Sequence, residues 1–209
     1  MKPIHERSFW VFDMDGTLTR PIFDFPQIKK LLGLPVERGI LEVLGELTPA
    51  RAESVRADLD GMEASLALKA QPAEGADSLL RALKKRGIRL GILTRNRRVH
   101  ALSTLRVTGL LPFFDPRFIV GRDEAKPKPD PEGLLRLLDQ WRADSQDAVV
   151  VGDYLFDLQA GRAAGMMTVY VDGKGLFPFR DQAHVCVRGL AELVPMGSCP
   201  LPFCPEHRS

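Results

Sequence analysis

Two carboxylates, Asp13 and Asp15, stand one residue apart directly after the apolar run Phe9-Trp10-Val11-Phe12 and directly before Gly16. Aspartate is a poor strand former and costly to desolvate, so a pair of them here calls for an edge, a turn or a compensating cation. Taken alone, the pair is equally compatible with a solvated Asp-Gly turn. Three further segments repeat the arrangement of an apolar run that ends in reactive side chains. Ile88 to Leu93 runs into Thr94-Arg95-Asn96, and Phe118 to Gly121 leads to Lys126-Pro127-Lys128-Pro129-Asp130-Pro131. Ala148 to Val151 ends in Gly152-Asp153-Tyr154-Leu155-Phe156-Asp157. Acids, a hydroxyl and an ammonium delivered to strand ends are placed where open α/β sheets bind ligands.

The first stretch, Val11 to Leu18, resembles the D-x-D-G-T signature of the haloacid dehalogenase superfamily of phosphotransferases. The resemblance implies that Asp13 is a nucleophile forming an aspartyl-phosphate and that Asp15 is the general acid and base. The residue types suit that chemistry, because a carboxylate can attack phosphorus and leave by hydrolysis of the acyl phosphate, which splits one difficult displacement into two. Thr94 resembles the second motif, whose hydroxyl meets the transferring phosphoryl group together with backbone N–H groups near Arg95 and Asn96. The third motif, K-P-x-P, fits twice, at Lys126 and at Lys128. Lys128 stands directly before a helix start with Leu134 and Leu135 beyond it, which favours it as the lysine that neutralises the phosphate and nucleophile oxygens, with Lys126 as the alternative. The fourth motif, G-D-x-x-x-D, implies that Asp153 binds Mg2+ together with Asp13 and the backbone carbonyl of Asp15, with Asp157 in support. Magnesium prefers a few hard oxygens, several waters and substrate phosphate, which this set matches.

The elements that must position these groups follow from periodicity. The continuous apolar strands predict a Rossmann-like α/β fold, a mainly parallel sheet covered by helices on both faces. Ala76, Leu79, Leu80 and Leu83 form one helical stripe closed by Gly87, and Leu134, Leu135, Leu138 and Trp141 form another. Val99 and Leu102 mark the helix after Thr94, while 167–171 and 184–187 read as further strands. Residues 20–72 lack strand character. Ile28, Leu31 and Leu32, then Ile40, Val43, Leu44 and Leu47, then Val55, Leu59, Met62 and Leu66 recur at helical spacing, the last set after a Thr48-Pro49 start. A separate helical block in that position resembles the inserted cap of one large haloacid dehalogenase subgroup, near the phosphoglycolate-phosphatase-like branch. The expected organisation is a catalytic core of residues 1–19 and 73–195, a cap of residues 20–72 and an irregular tail of residues 196–209.

With 209 residues and 44% hydrophobic content the chain can bury a full core. Its 29 basic and 27 acidic residues leave a net charge of +2, without the footprint of a nucleic-acid or membrane partner. Met1 to Arg7 has no apolar signal core, which makes a cytoplasmic enzyme the expectation. Cys186, Cys199 and Cys204 do not read as a disulfide framework, and Cys199, Cys204 and His207 match no common zinc spacing. The reading that results is a Mg2+-dependent phosphate monoester hydrolase for a small phosphorylated metabolite. A phosphomutase of the same fold and a catalytically silent binding protein are its rivals. Cap arginines Arg38, Arg51 and Arg56 are candidate substrate ligands or plain solvated helix faces.

Overall fold

A computed structural model describes residues 2–22 and 24–194. Its sheet has six strands, β1 (Phe9–Phe12), β2 (Arg89–Leu93), β3 (Ile119–Val120), β4 (Ala148–Gly152), β5 (Met167–Val171) and β6 (Val185–Val187). They lie in the order β3-β2-β1-β4-β5-β6, and every pairing is parallel. The chain works outward from β1 to β3 and then returns to the other side of β1. The crevice between β1 and β4 is therefore the topological switch point, where such sheets bind ligands. Phe12 is in register with both Ile92 and Val151, so Asp13, Thr94 and Asp153 leave the sheet at the same edge within one residue of each other.

Seven helices accompany the strands among the described residues: α1 (Phe25–Leu32), α2 (Ile40–Leu44), α3 (Pro49–Ala67), α4 (Ala76–Lys85), α5 (Arg98–Val107), α6 (Glu132–Trp141) and α7 (Leu155–Ala163). Alternate side chains of β1 point to opposite faces. Trp10 and Phe12 pack with Leu79, Leu80 and Leu83 of α4 and Leu105 of α5, whereas Val11 packs with Leu134, Leu137 and Trp141 of α6 and Ala160 of α7. Both faces are thus covered, which is why β4 and β5 can be buried along their whole length. Truncating Phe12, which is fully buried beneath Asp13, would cost about 3–5 kcal/mol and loosen the strand end that presents the acid.

Helices α1 to α3 bury a separate cluster, with Ile28, Leu32, Val43, Leu44, Val55 and Leu59 at its centre. This block hangs from two adjacent chain segments. Thr19 bridges Pro72, the Arg20 N–H donates to the Gln71 carbonyl at 2.9 Å and the Ala73 N–H to the Leu18 carbonyl at 2.9 Å.

Several local expectations change. Leu31 lies on the exposed side of α1, because the inward face there is carried by Ile28 and Leu32, four residues apart. In α5 the inward residues are His100, Ala101, Thr104 and Leu105, leaving Val99 exposed, and in α6 Leu137 is buried where Leu135 faces out. Thr48 occupies the N-cap position of α3 without a side-chain bond. Helix α6 starts at Glu132, whose N–H donates to Asp130 Oδ1 at 2.9 Å. Cys186 on β6 is disulfide-bonded, against the reading of no disulfide framework. The expected tail, 196–209, with Cys199, Cys204 and His207, lies outside the described residues. No helix among the described residues is long and apolar enough to cross a membrane.

Candidate active site

The strand end of β1 turns immediately. The Thr17 and Thr19 N–H groups both return to the Met14 carbonyl, at 3.3 and 2.9 Å, and Gly16 takes a positive φ of 86°. A side chain at residue 16 would be strained there and would also collide with the Asp153 carboxylate. Glycine thus lets the loop of β1 and the loop of β4 close on each other. Thr17 seals the approach by donating its hydroxyl to Asp153 Oδ1 at 3.1 Å.

Asp13 is fixed by its own N–H, which donates to the Val151 carbonyl at 2.9 Å, and by Lys128. The Lys128 ammonium donates to Asp13 Oδ1 at 2.5 Å, to Asp157 Oδ1 at 2.5 Å and to the Leu93 carbonyl at 2.9 Å. These three acceptors satisfy all of its donors. Its side chain is 4% exposed, while that of Lys126 is 71% exposed and reaches only Asp130 and Glu132 at 3.9 and 3.6 Å. Between the two lysines, Lys128 is the one at the strand-end acids. Burial alone would weaken the ammonium, but the charges of Asp13 and Asp157 outweigh it and hold its pKa well above the ordinary value. Arg122 turns away to Glu63 at 2.5 Å.

Asp15 accepts from the Asn96 amide nitrogen at 2.6 Å. Burial, and then the charge of Asp13, push its pKa up to about 7. Thr94 is buried, and its Oγ1 accepts from the Asn96 N–H at 3.2 Å, which leaves the hydroxyl proton for another acceptor. Arg95 donates to the Lys128 carbonyl at 2.9 Å and to both oxygens of Glu42 on α2 at 2.7 and 2.8 Å, with its guanidinium 4.6 Å from the centre of the Phe156 ring. The side chains of Arg95 and Asn96 therefore brace other site groups.

Asp13, Asp153 and Asp157 present oxygens that all lie within 4.8 Å of one another. One ammonium faces them. Burial, with the mutual repulsion of these acids, pushes Asp13 up to about 6 and Asp153 up to about 8. Lys128 works against this at both positions. So large a shortage of positive charge among hard oxygens fits a divalent cation, whose ligands must be deprotonated. Asp157 gives one oxygen to Lys128 and accepts the Tyr154 N–H at 3.1 Å on the other, so it stands behind the cluster and braces it.

A family model described as haloacid dehalogenase-like hydrolase matches residues 22–171. An uncharacterized hydrolase of Saccharomyces cerevisiae, YOR131C, is 32% identical over 193 residues, covering 88% of each chain. This chain belongs to the haloacid dehalogenase-like hydrolase family. Pyrophosphatase PpaX of Listeria monocytogenes is 31% identical over 185 residues, 77% of this chain and 81% of that one. Among solved structures, a haloacid dehalogenase-like hydrolase from Bacteroides fragilis superposes with a TM-score of 0.74 at 25% identity, over 90% of this chain and 100% of that one.

Some groups of this haloacid dehalogenase-like hydrolase had no signal in the sequence. Glu42, Asp60 and Glu63 of the helical block each face an arginine beside the site: Arg95 at 2.7 Å, Arg97 at 3.0 Å and Arg122 at 2.5 Å. Asp60 also meets His100 Nε2 at 2.7 Å. The partners are 53, 37, 59 and 40 residues apart, so no local pattern could pair them. Arg38 pairs with Glu46 within the block and Arg51 donates to the Leu32 carbonyl, which gives both structural work there.

Proposed function

We propose that this hydrolase is a Mg2+-dependent phosphatase that cleaves the phosphate monoester of a small metabolite through an aspartyl-phosphate on Asp13. The observation that carries the reading is the convergence of Asp13, Asp15, Thr94, Lys128 and Asp153 on one strand edge, with a single ammonium against several buried or partly buried acids. Asp13 is the nucleophile. Lys128 holds one of its oxygens in place and offsets charge that grows on the phosphoryl oxygens, which is where preorganised donors contribute most. The Thr94 hydroxyl donates to a phosphoryl oxygen. Asp15, whose carboxyl burial and the charge of Asp13 push toward its protonated form, gives its proton to the leaving oxygen. Once ionised, it takes a proton from the water that attacks the acyl phosphate. Asn96 orients it throughout. Asp13, Asp153 and the Asp15 carbonyl, with Asp157 behind, would hold Mg2+, which when bound would supply positive charge to the phosphate oxygens.

Residues 20–72 act in this proposal as a cap over the core, residues 1–19 and 73–195. Their attachment by two adjacent segments and their own hydrophobic cluster support movement as a unit, and the acid–arginine pairs support a closed state that excludes water. The name of the PpaX relative, a pyrophosphatase, supports phosphorus chemistry and makes pyrophosphate a substrate to include. A panel of phosphorylated metabolites and pyrophosphate, assayed with Mg2+ and with EDTA, tests the proposal. Hydrolysis that needs the metal and falls by about four orders of magnitude or more in Asp13→Asn is expected, the scale of losing a nucleophile. Full activity in EDTA, or in the Asn variant, would sink it.

A further inference from the structure

The opposite edge of the sheet carries a second concentration of charge. A cavity of about 160 Å³ opens there, lined by Arg7, Gln146, Arg162, Gly165, Met166, Met167 and His184. These residues precede or begin β1, β4, β5 and β6 or lie at or just past the end of α7, so the cavity sits below the strands whose upper ends hold the acids. At ~3.3 Å per residue, the length of β4 separates the two by roughly 15 Å.

Arg7 is 2% exposed. Its Nε donates to the Lys2 carbonyl at 3.1 Å and its Nη1 to the Ala148 carbonyl at 2.9 Å, so both of these bonds go to backbone oxygens and neither to a carboxylate. Asp147, the acid whose charge acts on it, is bonded to Lys2 at 2.6 Å. A buried guanidinium without its own carboxylate is costly, and a buried charge is ordinarily paired. Arg162, exposed at the end of α7, adds a second guanidinium to the same cavity wall. His184 completes the set. Its Nδ1 accepts from the Thr168 N–H at 3.0 Å, so in the neutral ring the proton lies on Nε2, which becomes a further donor.

We infer that this cavity is a binding site for one small oxyanion, a phosphate or carboxylate group, held by Arg7, Arg162 and His184. Guanidinium groups match both oxyanions in a forked geometry, which a lone ammonium does not. The volume is below the ~300 Å³ at which drug-sized pockets begin, so the site takes a single oxyanion group in preference to a whole nucleotide.

His184 supplies a local readout. Burial, then the charges of Arg162 and Arg7, hold its pKa below the ordinary value, and an anion between them should raise it. Inorganic phosphate is titrated by NMR into the full chain in EDTA, where the metal-free acids at the other edge repel an anion, and the His184 imidazole is followed, assigned with His184→Gln. Saturable shifts with a rising imidazole pKa are expected, and Arg162→Glu, at an exposed position, should weaken binding about tenfold or more. A parallel titration with acetate decides the ligand class, the tighter ion naming it. An imidazole that does not respond to either ion, or responds equally in Arg162→Glu, overturns the inference.

Discussion

Two carboxylate clusters flank the same strand ends, and they differ in how their charge is met. Asp13, Asp153 and Asp157 share one ammonium, whereas Asp60 and Glu63 of the helical block face Arg97, Arg122 and His100. Both groups hold oxygen or nitrogen atoms close enough for one ion. Ligand spacing alone does not distinguish them. Local charge does: the first cluster is short of cations and pushes both Asp13 and Asp153 toward protonation, while in the second His100 and Arg97 hold Asp60 below its ordinary value, burial raises Glu63 against the pull of Arg122, and the guanidinium groups would repel a metal. Glu63 keeps one buried oxygen, Oε2, without a partner, yet Arg122 lies 2.5 Å from the other. One cluster is arranged to recruit charge, and the other to join two parts of the molecule.

The sharpest break of this comparison is a metal titration on paired variants. Asp153→Ala should abolish Mg2+ activation of hydrolysis, and Asp60→Ala should retain it, as read from rate against Mg2+ concentration. Equal sensitivity would show that both clusters recruit metal. Next comes stability. Glu63→Ala leaves Arg122, whose side chain is 11% exposed, without its acid, and denaturant unfolding should show a loss of about 2–3 kcal/mol, below the full cost of stranding a buried charge. Glu46→Ala, which breaks a fully exposed pair with Arg38, should leave the unfolding curve where it was.

Lysine substitutions sharpen the same contrast within one loop. Lys128→Ala should lower kcat/KM by about two orders of magnitude, the loss of a preorganised charge contact, while Lys126→Ala should stay close to the parent. A larger effect from Lys126 would reverse the assignment.

The smallest expected effect concerns Asp15 and pH. In the metal-free folded protein it keeps its proton up to about pH 7, against an ordinary value of 3.8, so unfolding releases a proton between those limits. Its contribution to stability therefore falls as pH rises through that window. Asp15→Asn removes the penalty without losing the Asn96 contact. The variant should match the parent near pH 4 and exceed it by ~1–3 kcal/mol above pH 7, given ~1.4 kcal/mol per pKa unit and some relaxation of the site. Thermal melts across pH, in EDTA, measure it; a gain at low pH instead would contradict the sign.

How much was legible follows from where each signal resides. Asp13, Thr94 and Asp153 could be read because an apolar run that stops at a polar residue marks a strand end, and parallel strands that begin level also end level. The burial of Ala76, Leu79, Leu80 and Leu83 was legible for a similar reason, since all four recur on one face of α4. Leu31, Val99 and Leu135 misled, because periodicity defines a stripe only to within a residue or so and the neighbouring element decides which edge turns inward. In α5 that neighbour includes Asp60 of α3, which draws His100 inside.

By itself, then, the sequence determined the parallel sheet, the edge that carries the acids and the residue types assembled there, because these depend on local runs of apolar and polar residues. Which lysine meets Asp13, which arginines engage Glu42, Asp60 and Glu63, and which guanidinium lies buried below β4 were decided by tertiary structure. Each of these depends on groups far apart in the chain meeting at low dielectric. There, a charge is stabilised or stranded by whichever partner the packing brings within about 3 Å, and two residues of identical type take opposite roles.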